Sequence, residues 1–144
     1  MLRPFTADDR AAYLQMAHDF YHSDAVDHPV PDEFLERTFD ELLGGSPYAE
    51  GFLFEEDSEV QGYALLAKTW SQEAGGLVVW IEEIYIRPEF QGRGQGSAFF
   101  AYLKEHLPAA RYRLETEPDN ERAKALYRRQ GFRFLNYESF ILGQ

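Results

Sequence analysis

Apolar positions along the chain follow two rhythms, a helical one before Gly45 and a strand-like one for most of what comes after. Tyr13, Met16, Ala17 and Phe20 recur at helical spacing and predict a helix from about Asp8 to Tyr21. The preceding "LRPF" is short and strand-like, and Thr6 followed three residues later by Asp9 has the form of a capping box. Beyond the polar connection "HSDAVDHPV", Pro31 suits a first helical position. Phe34, Leu35, Phe39 and Leu42 then make a second stripe that stops at Gly44-Gly45. The period now shortens. "GFLFEE" and "EVQGYALLAKTW" flank an acidic turn at Asp57, and "SQEAGG" separates them from "LVVWIEEIYI", as in a meander of antiparallel strands.

A glycine loop, "QGRGQG", follows, and after it "SAFFAYLKEHL" reads as a helix ended by Pro108. "RYRLETE" alternates as a strand, with Tyr112, Leu114 and Thr116 facing one way. "NERAKALYRRQ" is a helix capped by Asp119 or Asn120 and stopped at Gly131, and the tail "FRFLNYESFIL" is strand-like again. The order is strand, two helices, three strands, helix, strand, helix, and one or two strands. That order predicts an α+β domain, a mixed sheet with helices on its faces.

Composition narrows the picture. A chain of 144 residues with 44% apolar residues, and neither repeat nor low-complexity block, has the size and content of one domain spanning residues 1–144. The absence of cysteine excludes a disulfide framework, a thiolate zinc site and a cysteine nucleophile. Charged residues stand where a signal peptide needs its apolar core, and no apolar run approaches the roughly 20 residues that span a bilayer. A cytoplasmic protein without a membrane partner is therefore expected. A net charge of −11 speaks against nucleic acid as a partner and would draw in a cation, although such a surplus commonly serves only to keep a surface soluble.

The glycine loop carries the first chemical signal. It lacks the Gly-Lys pair of a Walker loop, and its third glycine comes a residue too early for the dinucleotide fingerprint. Glycines at alternate positions before a helix instead let successive N–H groups line one concavity, to which the helix N-terminus adds its positive dipole end. A diphosphate fits such a cradle.

Gln91-x-x-Gly94-x-Gly96 matches the pattern of Gln or Arg, two free positions, Gly, one free position, and Gly or Ala that marks the GNAT superfamily of N-acetyltransferases. "IEEIYIRPEF" resembles that superfamily's fourth strand. The run from Asn120 to Phe132 resembles its later helix, in which an Asn, a small residue and a Tyr precede Gly-Phe. The resemblance covers nearly the whole chain and implies a central, mostly antiparallel sheet of six to seven strands with about four helices. It also implies acetyl-coenzyme A as cofactor, bound at Gln91, Gly92, Arg93, Gly94, Gln95, Gly96 and Ser97, by backbone donors near Ile84, Tyr85 and Ile86, and by Asn120, Ala123 and Tyr127. Many relatives are homodimers, so a homodimer is expected.

Acetyl transfer from a thioester to an amine makes three demands. An aliphatic amine, with a pKa of about 10, arrives protonated and must give up its proton. Glu82 resembles the position used as base in polyamine-type members of the superfamily, with Glu83 as the alternative; in a regular strand the two would point to opposite faces. The oxyanion needs a backbone donor left unpaired by splayed strands, which the resemblance places near Ile84 to Ile86. The departing thiolate needs a proton, and Tyr127 matches the family's general acid. Asn120 and Tyr127 are two turns apart, on one stripe with Ala123, a small residue that would let the cofactor's arm pass.

For the acceptor, the segment between the first two helices offers Tyr21, His22, Asp24, Asp27 and His28, together with Glu82; no metal is expected there. Trp70 reads as a core residue, or as an aromatic wall for a cation. The function expected is transfer of acetyl to a primary amine of a small cationic molecule. A protein N-terminus or lysine as acceptor, and a coenzyme A-binding regulator without turnover, are the alternatives.

Overall fold

The computed structural model of the chain describes residues 1–23, 26 and 28–143. Four α-helices, α1 (Arg10–Tyr21), α2 (Asp32–Leu43), α3 (Gln95–His106) and α4 (Glu121–Arg129), pack on a single sheet. Its strands β1 (Leu2–Pro4), β2 (Ala49–Glu56), β3 (Glu59–Ser71), β4 (Gly76–Ile86) and β5 (Arg111–Leu114) lie side by side in chain order. The first four are antiparallel neighbours and β5 is parallel to β4, a reversal that requires the crossover through α3.

Helices cover both faces of the sheet, which is why its central strands read as nearly continuous apolar runs. On one face Leu53, Tyr63 and Leu65 meet Tyr13, Met16 and Ala17 of α1 and Leu35 and Phe39 of α2. On the other, Phe52, Phe54, Ala64, Leu66, Val79 and Ile81 meet Phe99, Phe100 and Leu103 of α3. The start of the chain is pinned by charge. Arg3 donates to both carboxylate oxygens of Asp9 at 2.9 and 3.0 Å and, through its Nη2, to Glu55 at 2.6 Å. Asp9 in turn accepts the Thr6 N–H at 2.7 Å, closing the expected cap, although the first turn is a short 3-10 helix at Ala7–Asp9 that continues into α1.

The sheet has five strands rather than six or seven. The tail beyond α4 forms no strand among the described residues, although Phe132 is held by its N–H to the Tyr127 carbonyl, 3.0 Å, and by its ring 5.3 Å from Phe100. β5 also stops at Leu114 instead of continuing through Glu117, because the edge of β4 it follows breaks its regular course one residue beyond Ile81.

Candidate active site

The break is a β-bulge at Glu82. Across β3 and β4, Leu66 pairs with Ile81 and Leu65 with Glu83, so Glu82 has no residue opposite it. An extra residue in one strand bends that strand and resets its alternation. Ile81 therefore faces α3, while Glu83, opposite Leu65, faces α1 and α2; without the bulge these two would share a face. The expectation that a regular strand directs the two carboxylates to opposite faces does not hold, because the strand is not regular at that point.

Glu83 is fixed from two sides. Tyr21 at the end of α1 donates its hydroxyl to Oε1, and Tyr63 of β3 donates to Oε2 at 2.7 Å. Burial pushes the Glu83 carboxyl above the ordinary range, and these two hydrogen bonds hold it partly back. Burial likewise raises the Tyr21 and Tyr63 phenols, with the Glu83 charge adding to it, so both remain protonated donors. Tyr13 stands edge-on to Tyr63 with centroids 5.2 Å apart, completing an aromatic wall behind the carboxylate. Glu82 differs. It is exposed and has no hydrogen bond among the described residues, and its carboxyl is raised by desolvation, by Glu83 and by Glu115.

Past Ile81 and Leu114 the two parallel strands part. β4 continues to Ile86 beside β3 alone. The Arg87 N–H bonds to Gln61 of β3 at 2.8 Å, so by alternation Ile84 and Ile86 direct their backbone groups into the gap. The Ile86 carbonyl is met there by Gln91 Nε2 at 3.0 Å. Gln91 thus ties the loop to the strand end. Tyr85, between the two isoleucines, points its ring to the other face, toward Tyr63 at 5.8 Å.

The glycine loop leads into α3 by two left-handed residues, Gly92 and Gly94, both at φ 77°, with open space where a Cβ would stand. Gly94 is the N-cap and has no side chain to satisfy the first-turn N–H groups of Gln95, Gly96 and Ser97. Gly96 has a different purpose: a Cβ there would lie 2.8 Å from Leu126 of α4, so its bareness lets the two helices meet. Gln95 Nε2 donates to Gln61 Oε1 at 2.6 Å, Ser97 accepts from Gln130, and Arg93 lies over the Phe90 ring at 5.2 Å. A bare helix N-terminus beside left-handed glycines, with Arg93 and Arg122 close to the loop, fits a diphosphate.

On α4, Asn120 is the N-cap, its side-chain oxygen accepting the Ala123 N–H at 3.1 Å. Tyr127 is half-buried between Phe100 and Phe132, both 6.0 Å away, and its hydroxyl has no hydrogen bond among the described residues. Burial raises its pKa and keeps it protonated. It packs against the same core cluster as Ile84 and Ile86, the residues that face the gap.

Of the acceptor candidates among the described residues, Tyr21 alone is hydrogen-bonded to either carboxylate. His22 stacks on His18 at 4.0 Å and caps the exposed end of α1; His28 is exposed, with no hydrogen bond or ion pair to Glu82 or Glu83 among the described residues. Asp24 and Asp27 lie outside the described residues. Trp70 pairs with Leu77 at the far end of β3 and is 78% exposed, so it neither packs in the core nor lines this site. Two participants escaped the sequence reading. Tyr63 and the buried Gln61 sit in "EVQGYALL", where alternation alone marks core, and only the register against β4 brings them to Glu83 and to the loop.

Known proteins bear on this arrangement. The sequence profile of the acetyltransferase (GNAT) family matches residues 12–132. A Lactobacillus delbrueckii subsp. lactis protein, named an uncharacterized N-acetyltransferase in the pepI 3′ region, is 34% identical over 122 residues, covering 77% of this chain and 69% of its own. The structure of a possible acetyltransferase from Clostridium difficile 630 superposes with a TM-score of 0.84 at 18% identity, over 100% of this chain and 97% of that one. The aminoglycoside N-acetyltransferase AAC(6')-Iy, solved with CoA, gives 0.80 at 16% identity, over 100% and 94%. Those two likenesses speak for the fold, and the profile and the sequence relative speak for descent: the chain belongs to the GNAT family of N-acetyltransferases, enzymes that use acetyl-coenzyme A.

Proposed function

We propose that the protein transfers acetyl from acetyl-coenzyme A to a primary amine of a small cationic molecule, the amine attacking the thioester directly. The observation that carries this reading is the bulge at Glu82, which sets an unengaged carboxylate next to an anchored one where β4 and β5 part. When bound, the cofactor supplies an activated acyl thioester. The N–H groups of Gln95, Gly96 and Ser97, with Arg93 and Gln91 beside them, hold its diphosphate. Ala123 leaves room for its arm along α4, and the N–H groups of Ile84 and Ile86 meet the negative charge that develops on the acyl oxygen.

On the acceptor side, Glu83, immobilised by Tyr21 and Tyr63, attracts the ammonium group without moving. Glu82 takes its proton, because its oxygens are free and its raised pKa brings it closer to that of the amine. Tyr127 gives a proton to the departing thiolate. The similar structure of AAC(6')-Iy with the bisubstrate analog CoA-S-monomethyl-acetylneamine supports a small amine as acceptor. We place the protein in the cytoplasm; no helix among the described residues is long and apolar enough to cross a membrane.

The test separates binding from turnover. Acetyl-coenzyme A is expected to raise the melting temperature of the wild type, Glu82→Gln and Tyr127→Phe alike, while both variants lose acetylation of a cationic amine. A wild type that shows no cofactor shift, or variants as fast as the wild type, would overturn the assignment.

A further inference from the structure

Arg113 carries a charge that neither the diphosphate cradle nor the two carboxylates use. Tyr112 and Leu114 on either side of it pack into the cluster beneath α3, so Arg113 turns to the opposite face of the sheet, the face of Glu83. Trp80, its partner in the register of β4 against β5, lies between Val79 and Ile81 of the same cluster and turns the same way. The Arg113 guanidinium rests over the Trp80 ring, 4.3 Å from its centroid. Both residues are half-buried, and Trp80 does not join the cluster beneath α1 and α2.

This pair stands next to the reaction. Trp80 and Arg113 are the last pair but one before the strands part, and Glu82 follows two residues on, about 6–7 Å along the strand. Glu115, two residues beyond Arg113, is near enough to help raise the Glu82 carboxyl. Arg111, two residues back on the same face, meets Glu73 at 3.9 Å, whereas Arg113 has no ion pair or hydrogen bond among the described residues. With 25 acidic residues against 14 basic ones, carboxylates are plentiful in the chain, yet this guanidinium is left without one where the acceptor arrives. A guanidinium seated on a ring keeps the N–H donors of its edge, and that fork matches a carboxylate.

We propose that Arg113 is a specificity-determining residue that binds a carboxylate of the acceptor, and that the acceptor is a basic amino acid. The inference rests on the acetyl transfer proposed above and narrows its cationic amine. Glu82, Glu83 and Glu115 against one guanidinium suit a molecule with two ammonium groups and one carboxylate, which is still a net cation. The bonds exchanged are the same: an N–C bond forms and the thioester C–S bond breaks, the amine proton passing to Glu82 and Tyr127 protonating the thiolate.

Three matched acceptors test it: lysine, its amide, which lacks the negative charge, and 1,5-diaminopentane, which lacks the carboxylate altogether. With acetyl-coenzyme A in excess, the wild type should favour lysine over both others by at least about tenfold in kcat/KM, the worth of a charge-assisted pair. Arg113→Gln should bring that ratio to about one, with the loss falling on KM for lysine rather than on kcat. A merely structural role for Arg113 would slow all three acceptors alike and leave the ratio standing, which would overturn the inference. Equal or faster acetylation of the amide or the diamine by the wild type, or acetylation of other amines while lysine is refused, would overturn it too and leave acetyl transfer intact. Silence with every amine would overturn both.

Discussion

Glu82 and Glu83 are neighbours in sequence with opposite assignments in space. Both oxygens of Glu83 accept tyrosine hydroxyls, whereas those of Glu82 are unengaged. Glu82→Gln should lower kcat by about 10²- to 10⁴-fold, the usual worth of a positioned base. Glu83→Gln should act chiefly on KM for the amine. It should also move the acid limb of kcat/KM to lower pH, because the Glu83 charge is one of the causes that hold the Glu82 carboxyl up. A pH–rate profile of both variants checks this; an unmoved acid limb in Glu83→Gln would separate the two groups. The sign for stability is the reverse of that for a salt-bridged acid. A carboxyl raised in the folded state favours folding below its unfolded pKa, and that contribution is lost as pH rises through the raised value. Glu82→Gln should therefore melt higher than the wild type at neutral pH, with the difference shrinking in acid. A catalytic group that costs stability where it works would show that trade.

The strand and helix ends that carry these residues depend on a few small side chains. A Cβ on Gly62 would lie 2.2 Å from the Tyr85 carbonyl oxygen, in backbone that cannot move aside without shifting the end of β4. Gly62→Ala should lower the melting temperature and reduce kcat together, which thermal melts and steady-state rates would read. At the start of α4, Asn120→Ala should cost about 1 kcal/mol through loss of the cap. Asn120→Asp keeps the cap and removes only the side-chain N–H donors. If Asn120 also meets the cofactor, affinity for coenzyme A should fall in both variants while stability falls only in the first. Much of this level was legible beforehand. The stripe at Tyr13, Met16 and Ala17, the Gly44-Gly45 stop and the two-residue turn at Asp57 all marked their elements, because periodicity and turn chemistry are local. The bulge was not, because it is defined by which residue of β3 lies opposite, and the adjacent glutamates were its only trace. The loop glycines were legible in kind but not in use: Gly92 and Gly94 supply left-handed backbone, whereas Gly96 makes room for Leu126.

Across the whole molecule, the Arg3, Asp9 and Glu55 cluster joins the first strand, the first helix and β2. Hydrogen bonding to Arg3 holds the Asp9 carboxyl below the usual aspartate range. Its contribution to stability is present above the unfolded aspartate pKa and is lost as pH falls through the depressed value. Asp9→Asn should cost roughly 1–3 kcal/mol at neutral pH, part of a buried pair's worth because Arg3 is partly exposed. Denaturant melts at pH 7 and in acid would show the gap narrowing. The tail marks the limit of reading at this level. Its composition reads as strand, yet it forms none among the described residues, because the pattern of a segment does not say whether a sheet edge receives it. Of the residues proposed for the acceptor, Tyr21 and Glu83 are brought into contact, a juxtaposition set by the packing of α1 on the sheet and not by any local pattern.

The most direct measurement is release of free thiol from acetyl-coenzyme A by the protein, with polyamines, amino acid derivatives and amine antibiotics each offered as acceptor. Thiol should appear only when a cationic amine is present, in step with acetylated amine, and Glu82→Gln should slow it by about 10²- to 10⁴-fold. Thiol release that ignores the amine, or none with any acceptor, would contradict the assignment.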